Sequence, residues 1–80
     1  MRLDKYLKIS RVIKRRTIAN EACDAGKVLV NGKTARASYD VKIGDIIEIM
    51  MGAKKIKFEV VKISEYMKKD EADSMYKLIK

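Results

Sequence analysis

The chain has 80 residues, a formal net charge of +8, no histidine and one cysteine. A chain of this length buries only about 60% of the surface that its unfolded state exposes, so it forms one small core and has few side chains to spare for a deep substrate cavity. Without histidine or a second cysteine, it cannot assemble a structural zinc site or a histidine-dependent catalytic dyad. These limits favour a binding module with no metal, no cofactor and no enzymatic activity.

The first predicted element is a short amphipathic helix near the N-terminus. The spacing i, i+3, i+4 typical of a helix is followed by Leu3, Tyr6, Leu7 and Ser10. The basic residues Arg2, Lys5 and Lys8 lie off this apolar stripe. Asp4 falls in the first turn, where we expect it to interact with the helix dipole and to pair with Lys8, four residues later.

The N-terminus carries charged residues where a signal peptide requires an apolar stretch, and no later apolar run approaches membrane-spanning length. We therefore expect a soluble cytoplasmic protein that does not bind membranes.

A second helix is predicted to end at Gly26, which is suited to a left-handed C-terminal cap. Its expected apolar face consists of Ile18, Ala19, Ala22 and Ala25. Cys23, at helical spacing among these residues, is interpreted as a small buried hydrophobe and not as a nucleophile. Arg16 falls at the edge of the stripe near Asn20 and is expected to be an exposed cation.

The cluster Lys14-Arg15-Arg16 allows two interpretations. If it closes the first helix, the helix dipole favours its charge. If it begins the second helix, the dipole disfavours the charge, but free backbone N–H groups and adjacent cations then form a phosphate-binding site.

The remaining residues predict a sheet. A strand from Lys27 to Val30 meets Asn31-Gly32, the signal for a type I′ hairpin, and a returning strand covers residues 33–37. Further strands are predicted at 46–50 and 56–60, after turns at 41–45 and 52–55. In the tail, residues 66–80, the spacing of Ala72, Met75 and Tyr76 favours a helix, while 76–79 could equally form a strand. We expect an α+β fold of one domain over residues 1–80.

The positive charge is concentrated in the first half of the chain. Residues 1–36 carry ten basic and three acidic residues and all five arginines, whereas the remainder has a net charge of +1. Arginine is the cation suited to bidentate phosphate contacts. A stacking platform for single strands needs several exposed rings, but Tyr6 and Phe58 are both expected in the core, and only Tyr39, Tyr66 and Tyr76 remain unassigned. The sequence therefore indicates recognition of folded RNA through its shape and phosphates.

Several motifs together resemble the S4 RNA-binding domain: Arg2-Leu3-Asp4 with Leu7, Arg16, Val30-Asn31-Gly32-Lys33, Ser38 and Gly44-Asp45. This resemblance covers about residues 2–50, and residues 51–80 form a C-terminal sheet and tail. It implies two packed helices on a small, mainly antiparallel sheet. One departure is Arg15, which stands where many S4 domains have a serine or threonine as N-cap.

The chain length, the phrase from Ser10 to Thr17 and the ending from Ala72 to Tyr76 also resemble the RqcP family of ribosome-associated quality control, related to the fifteen-kilodalton heat-shock proteins. This second resemblance implies binding to obstructed large (50S) ribosomal subunits through their rRNA and the P-site peptidyl-tRNA. It also implies stabilisation of that tRNA and support of RqcH-dependent C-terminal alanine tailing. We expect the chain to be a monomer. The RNA-binding residues that we predict from the basic surface and this resemblance are Arg2, Lys5, Lys8, Arg11, Lys14, Arg15, Arg16, Lys33 and Arg36.

Two other functions are compatible with parts of this sequence. S4 modules also occur attached to enzymes, but Asp4, Asp40 and Asp45 each stand alone here with no predicted catalytic partner, which argues against catalysis. A constitutive ribosomal protein, or a general binder of structured RNA, would need the same basic surface and would be distinguished by its stoichiometry on bulk ribosomes.

Overall fold

The computed structural model describes residues 1–79; Lys80, the last residue of the predicted tail, lies outside the described residues. Two helices precede a five-stranded antiparallel sheet with the strand order β2-β1-β3-β4-β5. The elements are α1 (Leu3–Ile9), α2 (Arg16–Asp24), β1 (Val28–Val30), β2 (Lys33–Thr34), β3 (Ile46–Met51), β4 (Lys54–Val60), a 3₁₀ helix (Ala72–Met75) and β5 (Tyr76–Leu78). The predicted α+β architecture is confirmed.

The strand register places the apolar residues of the sheet on one face. Val28 pairs with Ile49, and Ile47 pairs with both Val30 and Phe58. These side chains join Leu3, Tyr6 and Leu7 of α1 and Ala19 and Cys23 of α2 in one hydrophobic cluster. On the opposite face Glu48 pairs with Lys55 and Lys57, and such exposed ion pairs contribute little to stability.

Helix α2 begins at Arg16 and ends in the left-handed cap predicted at Gly26. The N–H of Gly26 donates to the carbonyl of Cys23 and the N–H of Lys27 to that of Ala22, the two bonds of a Schellman motif. The expected apolar face is only partly correct, because Ile18 is 50% exposed and Ala25 is also exposed. Ala19 and Cys23, four residues apart, form a narrower buried stripe of small side chains that lets α2 lie close to its neighbours.

The hairpin between β1 and β2 has the predicted turn, with positive φ angles of 53° at Asn31 and 85° at Gly32. Strand β2 is shorter than predicted and ends at Thr34. Ala37 leaves the sheet because its carbonyl accepts the N–H of Asp4, and its own N–H donates to the carboxylate of Asp24. Strand β3 extends one residue beyond its predicted end, to Met51.

The tail contains both of the alternatives that the sequence left open. A 3₁₀ helix over Ala72–Met75 leads directly into β5 (Tyr76–Leu78), which pairs with β4. The hydroxyl of Tyr6 donates to the carbonyl of Met75 at 2.7 Å, and the rings of Tyr76 and Phe58 lie 5.2 Å apart. The part of the tail around Met75 and Tyr76 therefore packs into the core. Within residues 1–79, neither helix combines the length and the apolar composition that a membrane crossing requires.

Candidate nucleic-acid interface

The buried carboxylate of Asp4 joins the two helices and fixes two arginines. Its side chain is 3% exposed and accepts the Nε of Arg2 at 3.1 Å and the Nε of Arg16 at 3.3 Å. The Nδ2 of Asn20 lies 3.2 Å from the same carboxylate, and the backbone N–H of Lys5 lies 2.8 Å from it. Asp4 does not form the ion pair that we predicted with Lys8, because its acceptor sites are directed at α2 and at Arg2.

Both arginines of this cluster remain accessible to a ligand. The side chains of Arg2 and Arg16 are 50% and 47% exposed. Arg16 contacts Asp4 through Nε, and within residues 1–79 its terminal nitrogens make no hydrogen bond. We refer to Arg2, Asp4, Arg16 and Asn20 as the Asp4 cluster. It has a net charge of +1 and presents oriented guanidinium groups.

Burial alone would raise the pKa of the Asp4 carboxyl, but its hydrogen bonds have the larger combined effect. The bonds from Asn20, Arg2, Arg16 and the N–H of Lys5 together hold this pKa below its ordinary value. Asp4 is therefore ionised at neutral pH, which keeps both guanidinium groups in place.

The structure settles the position of the cluster Lys14-Arg15-Arg16. Arg15 is the N-cap of α2 and makes no side-chain cap, so this cluster begins the second helix. In the part of the chain that the structure describes, the backbone N–H groups of Arg16, Thr17 and Ile18 have no acceptor. Exposed cations thus stand beside free N–H groups, which is the arrangement that binds phosphate.

Three further cations lie together between the helices and the tail. Lys8, Arg11 and Lys14 line one cleft with Glu65 and Tyr66. Lys5 is half-buried and forms an ion pair with Glu65, so its charge is partly compensated.

Lys33 and Arg36 lie on the hairpin side of the molecule and line a separate groove. The hairpin is held by Asp45, which accepts the Tyr39 hydroxyl and the Lys42 N–H, both at 2.9 Å, and the Asn31 amide at 3.1 Å. Burial alone would raise the pKa of the Asp45 carboxyl, but these three hydrogen bonds together hold it below its ordinary value. We refer to Asp45, Asn31 and Tyr39 as the Asp45 cluster.

The expectation that Asp4, Asp40 and Asp45 stand alone is wrong. Asp40 pairs with the N-terminal amine at 2.7 Å, and the other two are centres of hydrogen-bond clusters. The hydrogen bond between Asp4 and Asn20 was not predicted, although the spacing of Arg16 and Asn20 puts both residues on one side of α2. Within residues 1–79 no group of three potential metal ligands occurs.

Cys23 is buried as predicted, and burial raises the pKa of its thiol to about 11. Only 3% of its surface is exposed, so the thiol is not accessible to a substrate.

Comparison with known proteins identifies a matching domain family and relatives that span nearly the whole chain. The S4 domain family matches residues 1–47, which include the Asp4 cluster and the hairpin. A Streptococcus pneumoniae protein named RQC P-site tRNA stabilizing factor is 48% identical over 79 residues, covering 99% of this chain and 90% of its own length. A Bacillus subtilis protein of the same name is also 48% identical, over 80 residues, covering 100% of this chain and 93% of its own length.

A solved structure of heat shock protein 15 from Vibrio cholerae has a similar fold. It superposes with a TM-score of 0.91 at 34% sequence identity, covering 99% of this chain and 81% of that protein. That protein is described as trimeric. The expectation that the present chain is a monomer stays a prediction.

Proposed function

The chain belongs to the S4 domain family and to the family of the RQC P-site tRNA stabilizing factors, and from that premise we propose that it acts in ribosome-associated quality control by binding RNA. The names of these relatives describe the stabilisation of a bound tRNA and not a catalysed reaction. The prediction that the chain is not an enzyme is thereby confirmed.

In the proposed role, the protein binds large ribosomal subunits that are obstructed by peptidyl-tRNA. It contacts the rRNA and the P-site tRNA and stabilises that tRNA while RqcH directs C-terminal alanine tailing. The observation that carries this proposal is the Asp4 cluster, in which one buried carboxylate orients two half-exposed arginines.

The chemistry of the Asp4 cluster suits a phosphate backbone. A guanidinium that is already fixed by a carboxylate loses less side-chain entropy when it binds phosphate than a freely rotating one. The terminal nitrogens of Arg16 and the free N–H groups at the start of α2 can donate to the same phosphate. We propose that Arg2 and Arg16 make the main contacts and that Lys5, Lys8, Arg11, Lys14 and Arg15 surround them; Lys33 and Arg36 extend the contact to the hairpin.

Co-sedimentation with ribosomal subunits tests this function. Wild-type protein, Arg16→Ala and the matched control Lys54→Ala are centrifuged through sucrose gradients with empty large subunits and with large subunits carrying peptidyl-tRNA. Lys54 suits the control because it is an exposed cation on β4, in the half of the chain without the arginine surface. We expect wild type and Lys54→Ala to prefer the tRNA-bearing subunits, and Arg16→Ala to bind about tenfold more weakly with a nearly unchanged melting temperature.

The salt dependence of binding provides a second readout. If about five phosphates are neutralised, the slope of log K against log salt concentration is about −4, and Arg16→Ala reduces its magnitude by about one. Equal binding to both kinds of subunit would instead indicate a constitutive ribosomal or general RNA-binding role. Normal binding by an Arg16→Ala protein that melts early would make this arginine structural.

A further inference from the structure

The cleft between the end of α1 and the tail combines cations with an exposed aromatic ring. Lys8, Arg11 and Lys14 line this cleft together with Tyr66. We propose that this cleft binds a single unpaired RNA nucleotide, whose base stacks on Tyr66 and whose phosphate contacts the three cations. The proposal rests on the RNA-binding function given above and adds to it Tyr66, a residue of the C-terminal tail outside residues 1–47, which match the S4 domain.

Tyr66 is 90% exposed, which is unusual for the larger side chains of this protein. A single exposed ring is common on protein surfaces and by itself indicates no site. Here, however, the segment that carries the ring is held against the basic surface. Glu65 forms an ion pair with Lys5, and the Ser64 hydroxyl donates to the carbonyl of Tyr66 at 2.9 Å. The ring is therefore presented at the cleft by an anchored backbone.

Arg11 provides an independent observation at the same cleft. Its φ angle is 62°, the left-handed conformation in which glycine is normally found after a helix. Its N–H donates to the carbonyl of Lys8, so it ends α1 as a glycine would. The side chain of Arg11 is exposed at this strained position and is therefore accessible to a ligand. Strained positions of this kind are concentrated at functional sites.

The composition of the cleft selects its ligand. Within residues 1–79, Lys8, Arg11 and Lys14 have no carboxylate partner, and the only acidic side chain in the cleft, Glu65, is paired with Lys5. An unpaired nucleotide supplies both a phosphate for the cations and a flat aromatic surface for the ring. One ring accommodates one base, so the site fits a bulged or looped-out nucleotide in a folded RNA and not an extended single strand.

A pair of RNA hairpins tests this proposal. The first hairpin contains one bulged 2-aminopurine, a fluorescent base that is quenched when it stacks on a tyrosine. The second has the same stem without the bulge. For the full-length wild-type protein we expect about tenfold tighter binding to the bulged hairpin, which corresponds to one base stacked on an aromatic side chain, together with quenching of the 2-aminopurine.

Three variants separate the parts of the site. Tyr66→Phe keeps the ring and should retain the preference for the bulge, whereas Tyr66→Ala should remove both the preference and the quenching. Because Tyr66 carries no charge, the salt slope of Tyr66→Ala should equal that of wild type. Lys14→Ala should instead reduce the magnitude of the salt slope by about one on both hairpins.

Equal affinity of wild type for the two hairpins, or an unchanged preference in Tyr66→Ala, would overturn the nucleotide site. If the wild-type protein nevertheless sediments with large subunits in an Arg16-dependent way, the function proposed above stands without this site. If wild type binds neither hairpin nor subunits, both proposals fail. The melting temperature of Tyr66→Ala should match that of wild type, since its side chain is almost fully exposed.

Discussion

The Asp4 and Asp45 clusters place a carboxylate in similar surroundings and satisfy it with different donors. Both residues are buried, and the pKa of each carboxyl is lowered by hydrogen bonds that together outweigh its burial. Asp4 accepts from the charged side chains of Arg2 and Arg16, whereas Asp45 accepts from the hydroxyl of Tyr39, an amide and a backbone N–H.

The difference between the two clusters separates function from structure. The donors to Asp45 are neutral groups, so this carboxylate adds no cation to the surface. Its role is to hold the turn at residues 41–45 and the hairpin together. The arginines bound to Asp4 are half-exposed and keep donors available, so this carboxylate also prepares a charged surface. A buried carboxylate paired with exposed cations thus serves binding as well as stability, and the following predictions test whether that division holds.

The largest effects are expected from removing each carboxylate in turn. Asp4→Ala should lower the free energy of unfolding by about 2 kcal/mol, because Asn20 and the N–H of Lys5 lose a partly buried acceptor, and should weaken RNA binding about tenfold, since Arg2 and Arg16 lose their fixed orientation. Asp45→Ala should lower the free energy of unfolding by about 3 kcal/mol, because three partly buried donors lose their acceptor. Its RNA affinity should stay within about threefold of wild type when measured well below its melting temperature.

Urea denaturation and binding titrations on the same preparations measure both quantities. A loss of RNA affinity in Asp45→Ala as large as that in Asp4→Ala would remove the distinction between the clusters. It would also show that the hairpin cations Lys33 and Arg36 depend on the Asp45 cluster for their contribution to binding.

Smaller effects are expected from the neutral donor in each cluster. Asn20→Ala and Tyr39→Phe each remove one hydrogen bond to the carboxylate and should each cost about 1 kcal/mol of stability. Only Asn20→Ala should weaken RNA binding, by about threefold, because Arg2 and Arg16 become less constrained. The two variants serve as controls for each other, and equal RNA affinities would contradict this assignment.

The smallest effects are expected in the dependence of stability on pH. Because the folded protein holds both carboxyl pKa values below their ordinary value of about 3.9, the unfolded chain binds more protons at acid pH. Their contribution to stability is therefore complete above about pH 5 and is lost as the pH falls through the folded-state pKa. Asp4→Asn and Asp45→Asn should each flatten this acid decline.

Denaturation between pH 3 and pH 7 measures that decline. The carboxylates of Asp40, Glu48 and Glu65, whose pKa values are also lowered by their ion pairs, remain in both variants and provide a constant background. An acid decline as steep as that of wild type in either variant would mean that its carboxylate contributes nothing to the pH dependence.

Local signals predicted most of the elements around these clusters. The Asn31-Gly32 turn, the cap at Gly26 and the alternation of Ile56, Phe58 and Val60 each depend on neighbouring residues, and each appears in the structure as expected. The exposure of Ile18 was not predictable in this way. Helical spacing identifies the apolar side of a helix, but it does not show how much of that side the neighbouring elements cover.

The sequence by itself determined the class of fold and the concentration of arginines in residues 1–36. The spacing of apolar residues, the residues that favour turns and the charges can all be recognised from residues that are close together in the sequence. Only the tertiary structure decided which residues those arginines contact. Asp4 meets Arg16 and Asn20 across the junction of two helices, 12 and 16 residues along the chain. Contacts at such separations depend on how α1 and α2 pack, so the tertiary fold converts a basic sequence into an oriented surface.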